Sequence, residues 1–261
     1  MGLAPDLSIV IPAYNEQSRL GPTVRDAAEY CRGQGRAFEL IIVDDGSRDG
    51  TSELGRHLAE EFPEVRVIRL AANRGKGYAV RSGVVNALGQ MVLFVDADGA
   101  TPIAEIERLE AALSEGADVA IGSRALRAQG VRVEAKIYRR IVGRTFHRMV
   151  EFLADAGVED TQCGFKLFRA AVAHDLFSRM RMNGFSFDVE LLMIAKRRGY
   201  HVAEIPVSWT HKPGSKVSLY WDPIRMATDL FRIRRHCLSG KYDTPHLAPR
   251  GHEFEAESKA L

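Results

Sequence analysis

Short apolar runs recur along the first 123 residues, and each is followed by a stretch with helical spacing. Residues 7–11 form one such run, stopped by Pro12, and read as a strand. Leu20, Val24, Ala27, Ala28 and Cys31 then fall on one face of a helix, which Gly33 and Gly35 end. Further strands are expected at 38–43, 65–70, 91–95 and 118–122, with helices at 53–61, 78–88 and 103–114. Strands alternating with helices of about ten residues predict a mostly parallel, twisted, doubly wound α/β sheet with helices on both faces.

In such sheets ligands sit beyond the carboxyl ends of the strands. Four polar clusters fall at that edge: "PAYNE", "DDGS", "NRGKG" and "DADG". One or two could be chance, whereas four argue for a site. The rhythm changes after residue 124, dividing a first part (1–123) from a second (124–218). A basic amphipathic segment (136–154) precedes "VEDTQCGFKLF", "NGFSFDVELLMIAKRRG" and the strand-like "HVAEIPVSWT". The turn "HKPGSK" leads to a basic amphipathic helix at 222–238. The polar tail 242–261 is expected to be disordered. No internal repeat is present.

Composition changes this picture little. The chain has 261 residues, 46% hydrophobic and 27% charged, and a net charge of +2, so it lacks the footprint of a nucleic-acid binder. Arginines do cluster at 124–148 and 225–235. Three scattered cysteines point to a reducing compartment rather than a disulfide framework. The N-terminal stretch lacks the basic region of a secretory signal, and no apolar run is long enough to cross a membrane.

The run 91–95 ends in Asp96 and Asp98. Two carboxylates so spaced on a turn can cap the next helix, or can face one hard cation such as Mg²⁺ or Mn²⁺ that also takes substrate phosphates. Their place beside three other polar strand ends favours the second reading.

"VIPAYNE", "VDDGSRDGT", "NRGKGYAVRSG" and "VDADGAT" resemble the inverting family 2 glycosyltransferases. "IGSR", "DTQCGFKLF", "FDVELL" and "WTHKPGSK" resemble the branch that makes polyprenyl-phosphate sugars. The resemblance spans residues 7–242 and implies the glycosyltransferase-A fold over 1–218, with a nucleotide-sugar half (1–123) and an acceptor half (124–218), followed by a membrane-docking region (219–241). Mannosyl members read D-A-D-x-Q after the strand. Ala100 stands in the glutamine position here, as in glucosyl-type members. The implied reaction is inverting transfer of glucose from UDP-glucose to a polyprenyl (dolichyl-type) phosphate. GDP-mannose, UDP-N-acetylglucosamine or UDP-galacturonate remain alternative donors. A non-catalytic sugar-nucleotide module at the membrane is a further alternative.

The resemblance also implies roles. Pro12, Ala13, Tyr14, Asn15 and Glu16 border the nucleoside. Asp44 and Asp45 bond base or ribose, unless they only cap a helix. Arg74 and Lys76 reach the diphosphate, unless they are turn charges in solvent. Asp96, with Ala97, touches ribose or metal, and Asp98 is the main metal ligand. A lipid phosphate is already anionic, so it needs offsetting cations more than a base. Arg124, Arg139 or Arg140, and Lys166 are candidates, with Gln162 in the same motif. Lys212 and Lys216 read as a clamp on the acceptor phosphate. Asp188 and Glu190 are candidate catalytic acids, or else orient Lys and Arg side chains. A lipid acceptor implies a peripheral protein on the cytoplasmic face of a membrane. The segments around 138–154 and 219–238 would form its docking face.

Overall fold

The computed structural model describes residues 4–134, 157–212, 221–246 and 254–256. Arg139, Arg140, Lys216 and the segment 138–154 lie outside the described residues.

The first half alternates as the pattern predicts: β1 (Leu7–Ala13), α1 (Leu20–Gly33), β2 (Phe38–Asp44), α2 (Thr51–Glu61), β3 (Val65–Leu70), α3 (Lys76–Val85), β4 (Met91–Val95), α4 (Ile106–Ser114) and β5 (Val119–Ser123). The expected helix at 103–114 begins as a 3-10 turn, Ile103–Glu105. Helix α3 runs earlier than expected and leaves Leu88 exposed in the following turn.

The second half adds β6 (Val133–Glu134), β7 (Phe165–Arg169), α5 (Ala170–Arg179), α6 (Phe187–Arg198), β8 (Val202–Pro206), β9 (Trp209–Thr210), α7 (Trp221–Leu238) and β10 (Phe254–Ala256). Helix α6 has Asp188 and Glu190 in its first turn and three basic residues in its last, which suits the helix dipole. Gly199, at φ 77°, closes it in the left-handed conformation that glycine adopts without a Cβ penalty.

The main sheet has the order β10-β3-β2-β1-β4-β7-β5-β8. Strands β1 to β5 and β8 run parallel, while β7 and β10 are reversed. Alternate side chains of β1 feed two cores: Val10 enters one, and Ile9 and Ile11 the other. Helices α3, α5 and α6 cover the first face, and α1, α2 and α4 the second. Burying each such aliphatic side chain contributes about 1.5–3 kcal/mol.

Helix α7 packs on the rest of the chain through Leu230 and Ile233, which are buried in the first core. Among its described large apolar side chains, Phe231 (62%) and Leu238 (80%) are exposed. The tail beyond residue 241 is not all unstructured. Tyr242 is 1% exposed in the same core, Asp243 pairs with Arg197, and Phe254–Ala256 pairs antiparallel with β3.

Candidate active site

Reversal of β7 assembles the site. Phe165 pairs with Val95, so "TQCG" arrives at the edge where "DAD" leaves. The Asp96 amide donates to the Gly164 carbonyl at 3.0 Å. A Cβ at residue 164 would overlap the Asp96 carboxylate, so glycine lets the two strands meet with that carboxylate in place.

Two turns beside it are braced by the first aspartates. Asp44 accepts from the Ser47 amide and the Ser52 hydroxyl and closes the turn after β2. Asp45 accepts from the amides of Arg74 and Gly75 at 2.7 and 2.8 Å, tying that turn to "NRGKG". Asn15 takes φ 54°, and its side chain accepts from the Arg48 amide. Gly75 sits at φ 100°, where a Cβ would meet the Asn183 carbonyl at 2.5 Å.

These edges enclose a cleft of about 440 Å³, within the range of small-molecule sites. Pro12, Ala13, Tyr14 and Glu16 line it from the end of β1, and Asp45 from the end of β2. Lys76 enters from the start of α3, and Asp96, Ala97 and Asp98 from the end of β4. Most of the sequence-predicted donor residues therefore share one cavity. Sequence reading missed Arg19, Asn73, Ser186, Met226 and Asp229, which also line it. Arg19 stands just before an apolar helical run and carried no motif signal. Met226 and Asp229 were read only as part of an outward-facing helix.

The charges converge. Lys76 Nζ lies 2.7 Å from Asp96 Oδ1 and over the Phe94 ring. Burial pulls the Lys76 ammonium down, but Asp96, Asp188 and Asp98 outweigh it and hold the group above its ordinary range, so it stays charged. Burial and the Asp96 charge push the Asp98 carboxyl up, opposed by the Ala100 amide and by Arg19 at 3.8 Å. Behind Asp96, Lys166 donates to Asp188 and to the Cys163 carbonyl, both at 2.6 Å. Arg124 forks onto Asp160 and lies 5.6 Å over the Trp209 ring.

The structure places several expected site residues away from the cleft lining. Lys166 is 1% exposed and its ammonium pairs with Asp188 at 2.6 Å. Asp188 is buried outside the cleft lining, and its contact with Lys166 is the one the orienting alternative describes. Glu190 is two helical residues on and points elsewhere: its carboxylate takes the amides of Arg181 and Met182 and the Tyr242 hydroxyl. Burial pushes that carboxyl up to about 7 against these bonds. Asp44 is 1% exposed and does not line the cleft. Neither does Asn15, and Arg74 lies over the Tyr78 ring. Gln162 reaches Met226 Sδ of α7 at 3.8 Å, and Lys212 is exposed.

Asp96 and Asp98 fit a hard divalent cation. Both are oxygen donors on one cleft wall, and burial leaves Asp98 short of cationic compensation. Mg²⁺ and Mn²⁺ commonly take one or two protein carboxylates together with substrate phosphates, and this pair can supply the carboxylates.

A family model described as Glycosyl transferase family 2 matches residues 8–177. Dolichyl-phosphate beta-glucosyltransferase from Homo sapiens is 39% identical over 249 residues, covering 90% of this chain and 77% of that protein. The enzyme of that name from Saccharomyces cerevisiae is 39% identical over 257 residues, covering 90% and 76%. Among solved structures, glucosyl-3-phosphoglycerate synthase from Mycobacterium tuberculosis in complex with UDP superposes with a TM-score of 0.65 at 18% identity, over 92% of this chain and 81% of that one. Its complex with Mn²⁺, UDP and glucosyl-3-phosphoglycerate gives 0.65 at 17% identity, again over 92% and 81%. The sheet order, the strand-edge cleft and these matches agree: the chain belongs to glycosyl transferase family 2.

Proposed function

We propose that this chain transfers glucose from UDP-glucose to a dolichyl-type polyprenyl phosphate, with inversion at the anomeric carbon. The carrying observation is the likeness, over 90% of the chain, to proteins named for glucosyl transfer to dolichyl phosphate. The cleft supports the reading, because its cation and paired carboxylates suit a nucleotide diphosphate.

In this reaction an acceptor phosphate oxygen bonds to glucose C1 as the C1–oxygen bond to UDP breaks. The bonding pair leaves on the β-phosphate, and no proton need move, so no general base is required. Charge repulsion is the obstacle: two anions ~4 Å apart repel by roughly 4 kcal/mol at an effective dielectric near 20. Lys76 stands where it can offset charge on the diphosphate. Asp188 and Lys166, behind it, keep the Asp96 wall in place. A divalent cation at Asp96 and Asp98 would supply further positive charge against the departing diphosphate. Ala100 is 6% exposed, its amide donating to Asp98 and its carbonyl accepting from the Thr210 amide.

Incubating the purified chain with labelled nucleotide sugars and a polyprenyl phosphate tests the reading. Labelled glucosyl lipid from UDP-glucose is the expected product. Label arriving from GDP-mannose, UDP-N-acetylglucosamine or UDP-galacturonate instead would change the donor. Nucleotide binding without transfer would leave the non-catalytic module.

The lipid acceptor requires a bilayer, and no described helix is long and apolar enough to cross one. The outer face of α7 supports peripheral docking. Phe231 and Leu238 project there beside Arg232, Arg234 and Arg235, all exposed. Each such cation adds about 1 kcal/mol near an anionic surface. The three cysteines are free thiols, in keeping with the cytoplasmic face. The protein should float with anionic vesicles, less so in high salt, and Phe231→Glu with Leu238→Glu should release it while UDP binding holds. Wild-type protein that stays in the soluble fraction at low salt would remove this part of the proposal.

A further inference from the structure

Glu190 lies outside the cleft, yet the backbone it holds leads into it. Its two oxygens accept from the Arg181 amide, each at 3.0 Å, and from the Met182 amide at 2.7 Å. A carboxylate that holds two successive amides fixes the path of that backbone. The next residues touch the donor turn directly. The Asn183 carbonyl accepts from the Tyr78 amide at 3.2 Å and fills the space where Gly75 would carry a Cβ. The Met182 carbonyl does the same at Gly77, 2.7 Å from a Cβ position. Arg81 braces the segment from behind, donating to the Met180 carbonyl at 2.9 Å. Contacts this close leave the Gly75–Lys76 turn no alternative place while residues 181–184 stay put. Lys76 hangs on that turn and meets Asp96.

The other side of Glu190 faces the C-terminal end of α7. Tyr242 is 1% exposed and donates its hydroxyl to Glu190 at 2.8 Å. Further along, Ser186 donates to Asp229 of α7 at 3.0 Å, and both line the cleft. Helix α7 therefore holds the segment at Ser186, and the residue four positions beyond its end holds Glu190.

We propose that Glu190 is a positioning residue for the donor cleft: through the Arg181 and Met182 amides it sets the Gly75–Lys76 turn, and through Tyr242 it makes that setting depend on the seating of α7. The inference rests on the donor-cleft reading above, but the linkage has its own test. Electrostatics favours the arrangement, since the carboxylate's acceptors match three donors. A glutamine would turn one oxygen into an N–H facing the Met182 or Arg181 amide. Phenylalanine at 242 keeps the buried ring and removes only the hydroxyl.

The experiment compares wild type with Glu190→Gln, Tyr242→Phe and a control, Ile9→Val, which loosens the opposite core. UDP is titrated into each by calorimetry, well below the unfolding midpoint. Amide hydrogen exchange is followed at Tyr78, whose bond partner is Asn183 rather than Glu190. The expected result is UDP binding about tenfold weaker in Glu190→Gln and about threefold weaker in Tyr242→Phe. Exchange at Tyr78 should be faster in both, with the control unchanged in both respects. Wild-type UDP affinity and unchanged Tyr78 exchange in Tyr242→Phe, which keeps the fold, would overturn the proposal. So would equal weakening in the control, which marks a general stability effect. If wild type itself binds no UDP, the donor reading fails, and Tyr78 exchange alone decides the linkage.

Discussion

Lys166→Met should cost about 3–5 kcal/mol of unfolding free energy, the usual penalty for leaving one partner of a buried ion pair alone. For a chain of this size that is a drop of roughly 6–20 °C in the thermal midpoint. Lys166 sits mid-strand in β7, between Phe94 of β4 and Ile121 of β5, and is 1% exposed. Its ammonium satisfies Asp188, and burial already pushes that carboxyl up while Lys166 opposes it. With methionine there, Asp188 must stay buried with less compensation or take up a proton. Lys166→Met combined with Asp188→Leu removes both charges and should recover much of the loss. Chemical denaturation of the two single variants and the double variant measures the coupling. Losses that simply add would show that the pair is not a unit.

Asp98→Ala should lower turnover by at least about a hundredfold, equivalent to some 2.7 kcal/mol of transition-state stabilisation. The melting temperature should scarcely move. Asp98 is a partly exposed turn residue whose structural bonds are one to the Ala100 amide and a 3.8 Å pairing with Arg19, worth about 1 kcal/mol together. Activity loss with intact folding therefore separates a role in the reaction from a role in the fold. Excess chelator should mimic the substitution in wild type and do little more to the variant. Full turnover in Asp98→Ala, or in chelator-treated wild type, would dismiss the cation at this position.

Much of the first half was legible because its signals are local. Apolar runs of strand length, helical spacing and glycine-rich turns depend on residues within a few positions of one another. They placed β1 to β5 and the helices between them, and they put Lys76, Asp96 and Asp98 at one edge. The donor half of the cleft followed from parallel topology alone, because carboxyl ends of parallel strands share an edge.

Tertiary structure decided what depended on partners far along the chain. Nothing local in "CGFKLF" says that its strand runs backwards between β4 and β5, yet that reversal brings Gly164 to Asp96 and buries Lys166 beside Asp188. A lysine within an apolar motif reads as a ligand until its partner, 22 residues later, is found at 2.6 Å. Asp188 and Glu190 look like a pair in sequence. On a helix, residues two apart point about 200° from each other, so one holds Lys166 and the other Tyr242. Helix α7 read as one apolar arc against one basic face. Its apolar residues in fact divide between the core and solvent, because burial is set by what lies opposite a side chain, and amphipathic spacing records only which residues share a face.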